Sequence, residues 1–148
     1  MNFFKEHKIL VPNDFSDASE EAIRLALRLA ITPEDVHIAQ FFQELPVVEP
    51  GVIWETLSDE KRVENVRDAM QKQLAEIPGS ENVHLNVRIG EPGSGIADLA
   101  EELKVGLIVI PSHGRTGMSR FLLGSVAEKV VRLAKCPVLV LKNEDIRA

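Results

Sequence analysis

Residues 107–142 read LIVIPSHGRTGMSRFLLGSVAEKVVRLAKCPVLVLK, and this stretch decides the fold. Its first four residues, 107–110, are all apolar, enough for one buried strand and too few for a helix. A polar, glycine-bearing loop from Ser112 to Gly124 follows, and loops of that length inside a compact domain are commonly functional. Ser125 and Glu128 then stand three apart, the spacing of a capping box. Val126, Val130 and Leu133 recur at helical spacing with Ala127, Val131 and Ala134 beside them, which predicts a helix with a wide apolar face. Cys136-Pro137 ends it, and residues 138–141 (VLVL) form a second buried strand. Strand, glycine loop, helix and strand make a right-handed crossover in a parallel sheet.

Outward from that unit the same alternation repeats. Residues 8–12 (KILVP) are a short strand closed by proline, and Asn13-Asp14-Phe15-Ser16 is a loop. Asp17 with Glu20 predicts a cap for a helix that buries Ala18, Ala22, Leu25, Ala26 and Leu29 and stops before Thr32-Pro33. Residues 36–42 (VHIAQFF) form the second strand. A turn-rich segment at 46–50 follows, and Trp54 beyond it has no assigned place. Ser58-Asp59 opens a long helix with Val63, Val66, Met70, Leu74 and Ile77 on one face, ended by Pro78-Gly79. Residues 83–89 alternate strictly between apolar and polar, as in a strand with one wet face at a sheet edge. Residues 90–95 (GEPGSG) read as a turn before a short helix carrying Ile96, Leu99, Ala100 and Leu103.

Bulk properties narrow the function. At 148 residues the chain has the size of one domain, taken here as 1–148. A net charge of −6 and pI near 5.2 argue against a phosphate-backbone binder, which needs a basic stripe. The first residues lack the apolar core of a signal peptide, and no apolar run reaches the ~18 residues of a membrane span. A single cysteine excludes an intramolecular disulfide and points to the cytoplasm.

Five strands alternating with four helices predict an α/β three-layer sandwich around a parallel sheet. The two most apolar strands, at 9–11 and 107–110, should be its central neighbours. Winding then reverses between them, giving order 3-2-1-4-5, and ligands in such sheets bind outside the carboxyl ends of the strands at the reversal. The loops there run from Pro12 to Ser16 and from Pro111 to Gly124. In that order the last strand is an open, uncharged edge, which predicts closure by a two-fold mate through Val138–Leu141.

Val11-Pro12-Asn13-Asp14-Phe15-Ser16, Gly90-x-Pro92 and above all Ser112-His113-Gly114-x9-Gly124-Ser125 resemble the universal stress protein family. The resemblance spans essentially the whole chain. It implies a Rossmann-like, adenine-nucleotide alpha-hydrolase-like fold and a dimeric cytoplasmic protein of the stress response, acting on an unknown regulatory partner. One branch of that family binds ATP through G-x2-G-x9-G-S/T. Here Gly114, Gly124 and Ser125 match, and Pro111 replaces the first glycine. The implied ligand is ATP, with ADP or AMP as alternatives and Mg2+ carried on the phosphates. The implied contacts are Pro12, Asn13 and Asp14 after the first strand, Phe41 against the base, and Pro111, Gly114, Arg115, Gly124, Ser125 and Val126 around the glycine loop.

Elementary chemistry supports a phosphate reading of that loop. Gly114 and Gly117 permit positive φ and close approach of backbone amides to an anion, and Arg115 and Arg120 add charge. Gly124-Ser125 sits where a helix begins, so free amides and the positive end of the dipole face the loop. The competing reading is that Ser125 only caps its helix and the glycines only turn. Asp14 is equally read as a turn residue bonding its own backbone, and Phe41 as core. Gly90-x-x-Gly93-x-Gly95 lacks dinucleotide-loop spacing, and there is no P-loop. Ser112 beside His113 suggests a hydrolase, but adjacent residues do not readily face each other and there is no G-x-S-x-G elbow. The four histidines show no ligand spacing. Cys136 reads as a small buried residue. The protein is therefore expected to be a regulator with at most slow ATP hydrolysis, or a dimeric regulator that keeps the loop only as structure.

Overall fold

The computed structural model describes residues 6–43, 58–113 and 122–142. The turn-rich segment at 46–50, Trp54, Gly114, Arg115, Gly117 and Arg120 lie outside the described residues.

Among the described residues nine strands and α-helices alternate: β1 (Ile9–Pro12), α1 (Asp17–Leu29), β2 (Val36–Phe42), α2 (Asp59–Ala75), β3 (His84–Ile89), α3 (Pro92–Glu102), β4 (Leu107–Pro111), α4 (Ser125–Leu133) and β5 (Val138–Leu141). The strands form one parallel sheet in the order β3-β2-β1-β4-β5, as the sequence predicts. A short 3-10 turn, Pro33–Asp35, is added before β2.

Strand alternation sorts the core into two layers. Val11, Val36, Ile38, Val87 and Val109 face α1 and α2, meeting Ile23, Ala26, Met70 and Leu74. Leu10, Ala39, Ile108 and Ile110 face α3 and α4, meeting Ile96, Leu99, Ala127 and Val130. Leu10, Val11, Ile108 and Val109 are fully buried, so β1 and β4 are central because their side chains are apolar on both faces. Burying each such side chain stabilises the fold by about 1.5–3 kcal/mol.

The structure corrects several local expectations. Ser16, not Asp17, caps α1, its hydroxyl accepting from Ser19 N at 3.1 Å. On that helix Ile23 is buried and Leu29 is exposed. Residues 92–95 are not a turn but the first turn of α3. Glu91 caps it, its carboxylate accepting from Gly93 N at 2.8 Å and Ser94 N at 2.9 Å. Hydrogen bonds from Ser94, Lys129 and the Gly93 amide hold the Glu91 carboxyl down at about 2. Lys129 of α4 reaches the same carboxylate at 2.9 Å, so Glu91 ties α4 to the start of α3. The wide apolar face of α4 is only partly covered: Ala127 and Val130 are buried, whereas Val131 is 46% exposed and Leu133 is exposed too.

On the α3 side of the sheet's other edge, His37 of β2 and His84 of β3 are register partners. Their rings stack with centroids 4.6 Å apart. His37 is 8% exposed, and its Nδ1 has no hydrogen-bond partner among the described residues. Burial, then the neighbouring His84 and Lys8, push its pKa down to about 4.

Candidate functional site

Winding reverses between β1 and β4, and a cavity of about 500 Å³ opens there beyond the strand ends. Pro12, Asn13, Asp14, Phe41, Pro111, Gly124, Ser125 and Val126, eight of the ten residues singled out in the sequence, all line it. Gly114 and Arg115 fall outside the described residues. The walls also include Ser19, Gln40, Ile96, Ile110, Ser112 and His113. Of these, Ser112 and His113 were weighed in the sequence and set aside; Ser19, Gln40 and Ile110 carried no motif.

The β1 wall is a rigid turn. Asn13 leaves the sheet with its amide donating to Ala39 O at 2.7 Å. Its side-chain Oδ1 accepts from Ser19 Oγ at 2.9 Å, and its Nδ2 donates to Gln73 Oε1 of α2 at 2.9 Å. Asp14 Oδ1 accepts from Ser16 N at 2.9 Å, so the turn reading of Asp14 is observed. Phe15 between them adopts φ 62°, left-handed backbone that a bulky residue rarely takes. The side chains of Asn13 and Asp14 stabilise that turn by bonding backbone two residues on.

The β2 wall consists of Ala39, Gln40 and Phe41. Phe41 is half-buried and packs with the α3–α4 layer, so it is at once a core ring and a cavity wall. Its ring fills the space over Gly95, where an added Cβ would sit 2.8 Å from Phe41 Cδ1. Gly95 thus serves close packing of α3 on Phe41, not a turn.

The β4 and α4 walls meet through backbone. Gly124 N donates to Ser112 O at 2.7 Å, and a Cβ on Gly124 would stand 2.9 Å from that oxygen. Glycine is therefore required here by the approach of two chain segments. The expected Ser125–Glu128 capping box is absent. Gly124 is the cap residue, with no side-chain cap bond, and Ser125 is the first helical residue. Glu128 pairs with Arg132 at 3.2 Å instead of reaching back. α1, α2 and α3 each have a side-chain cap, from Ser16, Ser58 and Glu91. The first-turn amides of α4, at Ser125, Val126 and Ala127, have no intrahelical acceptor, and all three residues line the cavity.

Pro111 ends β4 opposite Leu141. Ile108 N donates to Pro137 O, just before β5, and Ser112 N to Leu141 O at the end of β5. By alternation the nitrogen of residue 111 points the other way, past the end of the β1–β4 ladder, which stops at Leu10–Ile108. Proline removes a donor from that position.

Ser112 and His113 also depart from expectation. Although adjacent, they do face each other: Ser112 Oγ lies 3.1 Å from His113 Nδ1. Strand alternation would separate them, but β4 ends at Pro111 and the chain bends there. Cys136 is half-buried, and burial pushes its thiol pKa up, as suits a packing residue.

A family model for universal stress proteins matches residues 6–142. This chain belongs to the universal stress protein family. Universal stress protein MJ0531 of Methanocaldococcus jannaschii is 37% identical, over 96% of this chain and 84% of that one. Among solved structures, that of MJ0577 superposes with a TM-score of 0.70 at 25% identity, over 93% of this universal stress protein and 96% of its own chain. A universal stress protein from Archaeoglobus fulgidus, solved in complex with dAMP, gives a TM-score of 0.57 at 28% identity, over 93% and 98% of the two chains. No described helix is long and apolar enough to cross a membrane.

Proposed function

We propose that this universal stress protein is an ATP-binding regulatory module, with ADP and AMP as alternative occupants and Mg2+ carried on the phosphates. The observation that supports it is the convergence of eight sequence-selected residues on one cavity at the winding reversal. Its volume of about 500 Å³ suits a ligand of nucleotide size. The dAMP complex of the Archaeoglobus fulgidus relative supports an adenine nucleotide. In this reading the base lies on Ala39, Phe41, Ile96 and Ile110. The phosphates take the uncapped amides of α4, where the helix dipole favours an anion. Asp14 is the one carboxylate among the described lining residues and faces the ribose. Gly114 and Arg115 complete the phosphate side.

Phosphate contacts outweigh base contacts here, so triphosphate binds better than adenosine. Calorimetric titration with Mg-ATP and with adenosine tests this, alongside chromatography of nucleotide released from the purified protein. Silence toward millimolar Mg-ATP, with no nucleotide carried through purification, refutes the reading. A second reading is then favoured by one observation: contact with the Ser112 carbonyl explains Gly124 without any ligand. The protein would then be a nucleotide-independent dimeric regulator.

Under either reading we propose a single universal stress protein domain over 1–148, working in the cytoplasm as a homodimer through Val138–Leu141. β5 is a sheet edge, and Leu139 on it is 38% exposed. Val131 and Leu133 of α4 add exposed apolar surface nearby.

A further inference from the structure

Glycine within a helix is less favourable than alanine, so one kept there has a reason. Gly95 lies in the first turn of α3, its amide donating to Glu91 O at 3.0 Å. Gly79 and Gly90 are explained by positive φ, with nothing within 4 Å of an added Cβ. Gly95 is the reverse case. Its φ is open to any residue, but the three atoms nearest an added Cβ all belong to the Phe41 ring: Cε1, then Cδ1 at 2.8 Å and Cζ at 3.1 Å. Carbons in contact stand about 3.5–4.0 Å apart, so a side chain at 95 displaces the ring.

The surroundings of Phe41 decide where a displaced ring goes. It projects from β2 into the α3–α4 layer, with the sheet behind it. On the edge side its register partner is Arg88 of β3. The Arg88 guanidinium is tied to Glu102 of α3 at 3.0 and 3.4 Å. Toward β1 the ring already lines the cavity, beside the buried side chains of Ile96 and Ile110. The cavity is the empty volume next to the ring, so a ring pushed off α3 moves into it. Gly95 itself is not among the lining residues, and it reaches a ligand only through Phe41.

We propose, resting on the nucleotide reading above, that Gly95 is a positioning residue for base selection. By seating the Phe41 ring against α3 it leaves the cavity deep enough for a purine, and so makes the occupant a purine rather than a pyrimidine nucleotide. A purine carries a second fused ring that reaches past the space a pyrimidine fills. A ring wall advanced by the width of a methyl group takes away room that only the larger base needs. The phosphate side, at the first turn of α4, is untouched by that movement, so a smaller base still binds.

Calorimetric titration with Mg-ATP and with Mg-CTP, which share ribose and triphosphate and differ in the base, tests this. Wild type should bind Mg-ATP more tightly than Mg-CTP. Gly95→Ala should weaken Mg-ATP about 10-fold or more, the effect of one methylene in an apolar pocket, while Mg-CTP changes far less. Phe41→Leu removes the ring, and adding Gly95→Ala to that variant should leave the ATP-to-CTP ratio where Phe41→Leu alone puts it. A helix that merely lost its packing would weaken both nucleotides alike, and that outcome overturns the proposal. So does an unchanged ratio in Gly95→Ala, a tighter Mg-ATP, or a wild type that binds the two nucleotides equally. An effect of Gly95→Ala that persists without the Phe41 ring also overturns it. Each of these results spares the nucleotide reading, whereas wild type silent toward both nucleotides overturns both. Circular dichroism checks that each variant is folded. Should Gly95→Ala fail to fold, Phe41→Trp puts the question from the other side. With Gly95 kept, the larger ring overfills its seat and should lower the ratio; an unchanged ratio there overturns the proposal.

Discussion

Lowering the pH should destabilise this protein through His37, and replacing His37 should remove that part of the effect. In the fold, burial, His84 and Lys8 hold its pKa at about 4, against the ordinary 6.5 of a free histidine, while Asp35 opposes them. The neutral form is thus favoured by folding. Above pH 6.5 native and unfolded chains are both neutral at this residue, and its contribution to stability is fully present. Between about 6.5 and 4 the unfolded chain takes up a proton that the native one refuses, so stability falls with pH. At pH 5 the loss from this residue is about 2 kcal/mol, and below pH 4 it levels off at about 3 kcal/mol. His37→Phe keeps a ring against His84 and cannot titrate. Urea unfolding followed by far-ultraviolet circular dichroism at pH 7.5 and 5 would measure the loss in both proteins. The pH-dependent loss in His37→Phe should be about 2 kcal/mol smaller than in wild type. Equal losses in the two proteins, or an NMR titration placing the His37 midpoint above 6, would refute the reasoning.

Val140→Lys puts a charge on the open edge at β5 and should shift sedimentation toward the monomer at micromolar concentration; an unchanged mass points to another interface. Pro111→Gly restores a backbone donor facing the crevice and should tighten Mg-ATP about 3- to 10-fold by calorimetry, the worth of one hydrogen bond. No gain would show that position 111 does not touch the ligand. Gly124→Ala should cost about 1–3 kcal/mol in urea unfolding, because its Cβ meets the Ser112 carbonyl. Wild-type stability with lost ATP binding would instead assign this glycine to the ligand.

Much of the architecture was written in the apolar runs. Residues 9–11 and 107–110 are apolar at every position because both faces of the central strands are covered, and their pairing fixes where winding reverses and where the cavity opens. Helix starts were less legible. Pro92-Gly93-Ser94-Gly95 has turn composition, yet the segment is helical. Glu91 caps it, and its glycines admit neighbouring side chains: a Cβ on Gly93 would lie 2.7 Å from Lys129 Cδ. Ser125-x-x-Glu128 fits a capping box, but the bond from Gly124 to Ser112 moves the cap one residue earlier. The Ser112–His113 contact was hidden because it depends on where β4 stops, a tertiary fact. Gln40 and Ser19 carry no motif at all; only the closing of the sheet brings them to the cavity.

The bond from Gly124 to Ser112 joins two residues twelve positions apart in sequence, and so works as a clasp. The β4 and α4 walls of the cavity are pinned to each other at the clasp, so neither shifts without the other. The width of the pocket at that corner is therefore set by main chain, and exchanging side chains elsewhere on those two walls changes the lining without changing their separation.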